Sequence, residues 1–253
     1  MRRRRIIKKV VVMLIATMLF GCAHIEGTRD KSSTLQQSST LSRIDAIALL
    51  PIKEQSGTPG LSRQIEIALQ QSLEQALPST RVVGASAAGS RLAAHELIST
   101  YGQWQAGYES TSILDPRPVA AMARATDARY LLLIQSIHLA RERIRAADSG
   151  YTGVVNDANN TWRTDLKLVA TLIDTKSKQV EWKGLGYAEH IHSPKKDQDL
   201  FFVIFHDKNP EVSQYVGQMI TTATQGLAAQ LCAAQNDGSA SCPKTVAFRP
   251  VSN

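Results

Sequence analysis

An eleven-residue apolar run, VVVMLIATMLF at residues 10–20, sits between a cluster of basic side chains and a Gly21-Cys22 pair. No other feature restricts this chain as much, because it decides in which compartment everything after it must fold. Arg2, Arg3, Arg4, Arg5, Lys8 and Lys9 make a positive n-region with no acidic residue, and the apolar run has the length of an export-signal h-region. Eleven helical residues rise about 16 Å, too little to cross a hydrocarbon core of about 30 Å as a stable span. The same cluster accounts for the basic character of the chain. Without it, the 29 Lys and Arg fall to 23, against 22 Asp and Glu. A near-neutral body excludes a phosphate-coating nucleic-acid binder, whose affinity grows with the number of phosphates it neutralises. At 43% apolar and 6% aromatic residues, the remainder reads as globular.

Leu19, Phe20, Gly21 and Cys22 resemble the lipobox of bacterial lipoproteins. The resemblance implies a diacylglycerol on the Cys22 thiol, removal of residues 1–21, and acylation of the new amino group. Each buried methylene adds about 0.8 kcal/mol, so two or three chains on one residue anchor the protein in the membrane effectively permanently. Ala23 stands where an Asp would be the family's inner-membrane retention signal. By that resemblance the destination is the inner leaflet of the outer membrane, with the protein facing the periplasm.

Residues 22–43 are expected to be the lipidated cysteine and a flexible tether. GTRDKSSTLQQSSTLSR, at 27–43, has only Leu35 and Leu41 as large apolar side chains, too few to offset the entropy of ordering. As a flexible coil the tether would reach about 26 Å, and about 70 Å at full stretch. One domain is expected over 44–234, and a tail over 235–253.

Within the domain, IDAIALLPI at 44–52 reads as a buried strand stopped by Pro51. Leu61, Ile65, Leu69, Leu73 and Leu77 recur every four residues and predict a helix ending before Pro78. A short strand at 81–84 and a helix over about 90–101 follow, and then a polar, aromatic-dotted connection at 102–112. Asp115 as N-cap before Pro116 opens a helix to Asp127. YLLLIQSI at 130–137 reads as a central strand, with 141–147 extending or pairing with it, and 148–160 has loop composition. Segments 164–174 and 179–188 read as a β-hairpin. Residues 195–207 fit helix or strand equally. Val212, Val216, Met219, Ala223, Leu227 and Leu231 mark a long final helix. The order β-α-β-α-α-β-β-β-β-α predicts an α/β (α+β) domain, a single mixed β-sheet flanked by helices.

The first strand, the passage ATDARYLLL at 125–133 and the hairpin VATLIDTKSKQVEWKG at 169–184 resemble one group of envelope domains. The group comprises the curli-secretion channel lipoprotein, the lipoprotein activators of penicillin-binding proteins and the amino-terminal domain of the Tol-system translocation protein. The similarity spans roughly residues 44–190 and lies in strand and hairpin pattern. It implies a non-catalytic domain that acts by protein contact or by oligomerising. Residues 148–160 are too short and polar for the amphipathic strands with which the curli channel crosses its membrane, so a pore is disfavoured.

Catalytic motifs are incomplete. His95-Glu96 begins like a zinc-protease helix, but Ser99 stands where the second histidine is needed one turn on. Ser86 in GASAAG lacks the Gly-x-Ser-x-Gly spacing of a nucleophile elbow. His190 and His192 share one side of a strand, near Asp197, Asp199 and His206, yet without recognisable ligand spacing, so no metal and no cofactor are expected. With Cys22 acylated, Cys232 and Cys242 remain in an oxidising compartment and are expected to pair. Arg141, Arg143 and Arg145 alternate and offer a cationic surface, while Trp104, Tyr108 and Tyr151, placed in connections, are candidate partner anchors. The sequence thus points to a membrane-anchored, non-enzymatic accessory factor. Its partner is another envelope protein or a second copy of itself, with no nucleic acid or small-molecule substrate.

Overall fold

The computed structural model describes residues 27–37, 41, 43–53, 60–143, 162–192, 210–235 and 242. Cys22, Arg145, Tyr151 and residues 195–207 lie outside them. The described chain runs β1 (Gly27–Asp30), β2 (Ser33–Gln37), β3 (Ala46–Leu49), α1 (Leu61–Ala76), β4 (Arg81–Val83), α2 (Ala85–Ala94), α3 (Ile98–Thr111), α4 (Pro116–Thr126), β5 (Tyr130–Arg143), β6 (Trp162–Asp174), β7 (Gln179–His192) and α5 (Pro210–Gln235). The seven strands form one sheet in the order β1-β7-β6-β5-β3-β4, with β2 also on β7. β3 is parallel to β4 and β5, and the other pairs are antiparallel. This is the expected mixed sheet flanked by helices.

Side-chain alternation sorts the core into two layers. On one face Leu166, Leu168, Ala170 and Leu172 of β6 meet the helical row Ile65, Leu69 and Leu73 of α1, and Met219, Ala223, Leu227 and Leu231 of α5. On the other, Leu131, Leu133 and Ile173 meet Leu92, Trp104, Tyr108, Val119 and Met122 of α2–α4. The register of β5 shifts between Ile134 and Ser136, so Ile134 and Ile137 both reach the first core although they are an odd number of positions apart. α5 approaches β7 over Gly186, where an added Cβ would stand 2.5 Å from the Ala223 carbonyl oxygen.

The sheet is uneven in length. β5, β6 and β7 run 14, 13 and 14 residues, whereas β3 pairs only with Tyr130, Leu131 and Leu132 of β5. The long strands therefore project roughly 35 Å past the β3/β4 part. The 26 residues of α5 match this reach and cover one face of it.

Two local expectations are corrected. Residues 27–37, assigned to the tether, form two strands on β7: Gly27 pairs with Ile191, Thr28 with His190 and Ser33 with Leu185. Backbone pairing needs no apolar side chain, and the turn between these strands is tied by polar groups. Ser32 N–H donates to Asp30 Oδ1 at 2.8 Å, and Tyr187 N–H donates to Ser32 Oγ at 2.9 Å. Second, the helix expected at 90–101 and the connection after it are two helices, α2 and α3, broken where Glu96 takes φ 57. Tyr101, Trp104 and Tyr108 form the buried stripe of α3, an i, i+3, i+7 row diluted by Gly102 and Gly107. β5 runs to Arg143, so 141–143 extend it, one of the two alternatives expected from sequence. The expected helix start at Asp115 is present, its side chain accepting from the Arg117 N–H at 3.0 Å.

Candidate interaction site

Trp104 and Tyr108 lie in a helix, and α3 turns both into the core, leaving them 5% and 1% exposed. Their rings stack at 6.0 Å, and the Trp104 Nε1–H donates to the Asp115 carbonyl at 3.1 Å, closing α3 onto the start of α4. Together they form the floor of a cleft of about 430 Å³ whose rim includes Gln103, Thr111, Ile113 and Pro118. Ile113, on the rim, is 73% exposed. Two of the three aromatic anchors expected from sequence, Trp104 and Tyr108, are thus part of the core, and the large apolar side chain exposed at the cleft is Ile113, to which no sequence pattern pointed.

The cleft borders the projecting strands. Lys183 Nζ of β7 stands 5.7 Å from the centre of the Tyr108 ring, so α3 ends over β7 at that height. Beyond it, the sheet face opposite α5 is polar. Tyr187 OH donates to Asp165 Oδ1 at 3.0 Å. Lys31 Nζ pairs with Glu189 Oε2 at 2.8 Å, and Arg163 pairs with Glu142 and reaches Asp165 at 3.5 Å and Glu189 at 3.8 Å. Lys31 and Lys167 flank the Tyr187 ring at 5.6 and 5.1 Å. Burial, then the Asp165 charge and hydrogen bond, push the Tyr187 phenol up to about 12. It therefore stays a neutral donor at any physiological pH. The network is largely self-compensated, which suits a surface that contacts another macromolecule better than one that concentrates a small ion.

Arg141 is opposite Thr164, and its guanidinium stacks 4.0 Å from the centre of the Trp162 ring. Arg143 closes β5 opposite Trp162.

The groups weighed for chemistry are placed as follows. Ser86 is the second residue of α2, is exposed, and its carbonyl accepts from Ser90 Oγ at 2.9 Å. His95 is the C-cap of the same helix. His190 is 2% exposed and stacks at 4.3 Å on Tyr215 of α5. Its Nδ1 lies 2.9 Å from Thr28 Oγ1, a pairing that ties β1 to β7. Among the described residues, no group of three or more His, Cys, Asp and Glu is placed to hold a metal ion. Cys232 and Cys242 form a disulfide with their Cα atoms 5.8 Å apart, the pairing expected from sequence. Among the described residues no helix is long and apolar enough to cross a membrane.

No protein-family model matches the sequence, and no curated protein matches it. Solved structures with partial similarity include a PelC dodecamer from Paraburkholderia phytofirmans, at 14% identity and a TM-score of 0.38 over 78% of this chain and 96% of that one. An uncharacterized lipoprotein B from Nitrosomonas europaea aligns at 10% identity and a TM-score of 0.40, over 81% and 94% of the two chains. A hypothetical protein from Chlamydia trachomatis aligns at 9% identity and a TM-score of 0.39, over 76% and 98%.

Proposed function

We propose that this chain is a lipid-anchored periplasmic protein of the outer membrane. In this role it is a non-enzymatic accessory factor that binds another envelope protein, assisting the assembly or regulation of a complex such as a cell-wall synthase or a secretion system. The observation that carries this reading is Cys22, directly after a basic cluster and an eleven-residue apolar run, and only a few residues before the first strand, Gly27–Asp30. A chain so built acts where its anchor holds it. The Cys232–Cys242 disulfide agrees with an oxidising compartment. The partner surface is the α3–α4 cleft, lined by the stacked Trp104 and Tyr108 and by the exposed Ile113.

In-cell crosslinking of the full-length protein, followed by mass spectrometry of what is attached, tests this. A recurring envelope enzyme or secretion subunit is the expected result, and Ile113→Asp should reduce its recovery severalfold without unfolding the domain. Absence of any such protein, with or without the substitution, would overturn the adaptor role.

A second reading is self-association into a scaffold on the periplasmic face. It draws on the sheet edges: the strand order ends in β4 on one side and in β1 and β2 on the other, and every residue of β2 is exposed. Such edges accept a strand from a neighbouring copy. A crosslinked ladder made of this chain alone would favour that reading.

A further inference from the structure

We infer that the α3–α4 cleft seats a large apolar side chain of the partner over Gly107, and that this side chain is carried in an acidic segment whose carboxylates meet Lys183 and Arg117. The inference rests on the adaptor role proposed above. It adds the chemistry of the segment that the cleft takes.

The seat is built by spacing along one helix. Thr100, Gln103, Gly107 and Thr111 follow at intervals of three, four and four residues, so they form one row of α3 along the cleft. Gln103, Gly107, Thr111 and Ile113 are all exposed, which leaves this flank of the helix open. In the middle of the row a Cβ added to Gly107 would meet no atom within 4 Å. The helix is therefore bare beside the stacked rings of Trp104 and Tyr108, and a guest side chain can lie there against the backbone.

An apolar guest suits this place. Ile113 is 73% exposed, more than any other large apolar side chain among the described residues, and contact with a second apolar side chain takes it out of water. Three polar groups of the lining are already satisfied within the chain. The Trp104 Nε1–H donates to the Asp115 carbonyl at 3.1 Å, Thr111 Oγ1 donates to the Gly107 carbonyl at 2.8 Å, and Asp115 Oδ1 accepts from the Arg117 N–H at 3.0 Å. Covering them strips away no hydrogen bond within the protein.

The charges around the cleft are unequal. Asp115, the one charged residue in the lining, is committed to capping α4. Glu109, the acid of α3, lies about 200° round the helix from Gly107, where it accepts from Gln105 Nε2 at 2.8 Å. Lys183 is half-buried with its Nζ 5.7 Å from the centre of the Tyr108 ring, and Arg117 is exposed between the lining residues Asp115 and Pro118. Among the described residues neither cation is paired with an acid, whereas Lys31, Arg81, Arg129 and Arg163 all are. Uncommitted cations beside an apolar seat favour carboxylates on the incoming segment and oppose a basic one.

Photocrosslinking reads the segment directly. Benzoylphenylalanine is placed at Gln103 in the full-length chain, the protein is irradiated in cells, and the attached peptide is sequenced by mass spectrometry. The expected peptide comes from an envelope protein and has a large apolar residue with Asp or Glu within a few positions. Gly107→Leu should lower its recovery severalfold by filling the seat. Gly102→Leu, in the same helix but turned about 140° away, should leave recovery unchanged, and its Cβ likewise meets no atom within 4 Å. Lys183→Glu with Arg117→Glu should also lower recovery severalfold, while Lys183→Arg with Arg117→Lys retains it. Helical circular dichroism confirms that each variant is folded. A basic peptide, or one without a large apolar residue, would overturn the assigned chemistry and leave the adaptor role standing. Equal recovery from Gly107→Leu and Gly102→Leu, or capture by general crosslinking but never from residue 103, would overturn the seat. Undiminished recovery after charge reversal would overturn the role of the two cations. If neither crosslinker captures an envelope protein, the adaptor role and this inference fall together.

Discussion

Asp174 shows how one side chain holds a junction. At the end of β6 and 5% exposed, it receives Arg129 Nη2 at 2.7 Å and Arg129 Nε at 3.2 Å, and the Lys176 N–H at 2.8 Å. It thus joins the entry to β5, the end of β6 and the β6–β7 turn. Burial alone would raise its pKa, but the Arg129 hydrogen bonds, the backbone donors and the guanidinium charge outweigh burial and hold the carboxyl below the usual range. A lowered carboxylate pKa contributes stability that is present above the unfolded-state value and lost as pH falls through the folded-state value. Asp174→Asn should therefore cost about 2 kcal/mol in urea unfolding at neutral pH. It should also flatten the loss of stability between about pH 4 and pH 2 relative to the unsubstituted protein. Equal acid slopes in the two proteins would contradict this assignment. Cys232 and Cys242 act on the same scale. Their bridge closes a loop over a sequence separation of 10, so its reduction should lower unfolding stability by about 2–3 kcal/mol. Comparison of urea midpoints with and without reductant measures it.

Among the described elements, β1 and β2 are held mainly by backbone pairing and polar ties. Lys31 N–H donates to the Tyr187 carbonyl at 2.8 Å, Thr34 Oγ1 donates to Gln230 Oε1 at 3.3 Å, and the Gln37 amide reaches the Ala234 carbonyl at 3.4 Å. The turn between the strands fits against α5 because Gly226 has no side chain: a Cβ there would stand 2.1 Å from Ser32 Oγ and 2.6 Å from Ser32 Cβ. Gly226→Ala should therefore displace β1 and β2 while leaving α5 intact, since alanine favours the helix by about 1 kcal/mol. The expected result is trypsin cleavage after Arg29 and Lys31 accelerated at least severalfold, with the helical circular dichroism of the domain unchanged. Unaltered cleavage would mean that Ser32 yields without moving its strand. With these strands docked the link to Cys22 is five residues; with them released it approaches the long tether that composition alone suggests. Under the proposed anchor at Cys22, the state of this pair sets how far from the membrane the domain can work.

For the molecule as a whole, the two proposed roles differ in what they ask of the open sheet edges. An adaptor leaves β2 and β4 unpaired with other copies, whereas a scaffold uses them. Sedimentation of the protein from Gly27 onward at micromolar concentration is expected to give a monomer under the adaptor role, and a defined large oligomer would move the assignment to the scaffold. Much of this architecture was legible in advance. The leucine row of α1, the Asp115-Pro116 start of α4, the apolar core of β5 and the β6–β7 hairpin are written in local periodicity, because each buries one face and marks it with large apolar residues. The cysteine pair is likewise a local signal, read from composition and spacing. Only the tertiary structure decided the rest. The strands at 27–37 are held by backbone hydrogen bonds to β7 and polar ties to α5, contacts to residues 145 to 197 positions away that leave no hydrophobic signature. Trp104 and Tyr108 became core because α3 formed beneath them, and Arg141 met Trp162 because strand register brought them together. Pattern records which side chains want to leave water; which of them meet, and which end of the sheet β1 enters, depends on pairings between distant segments.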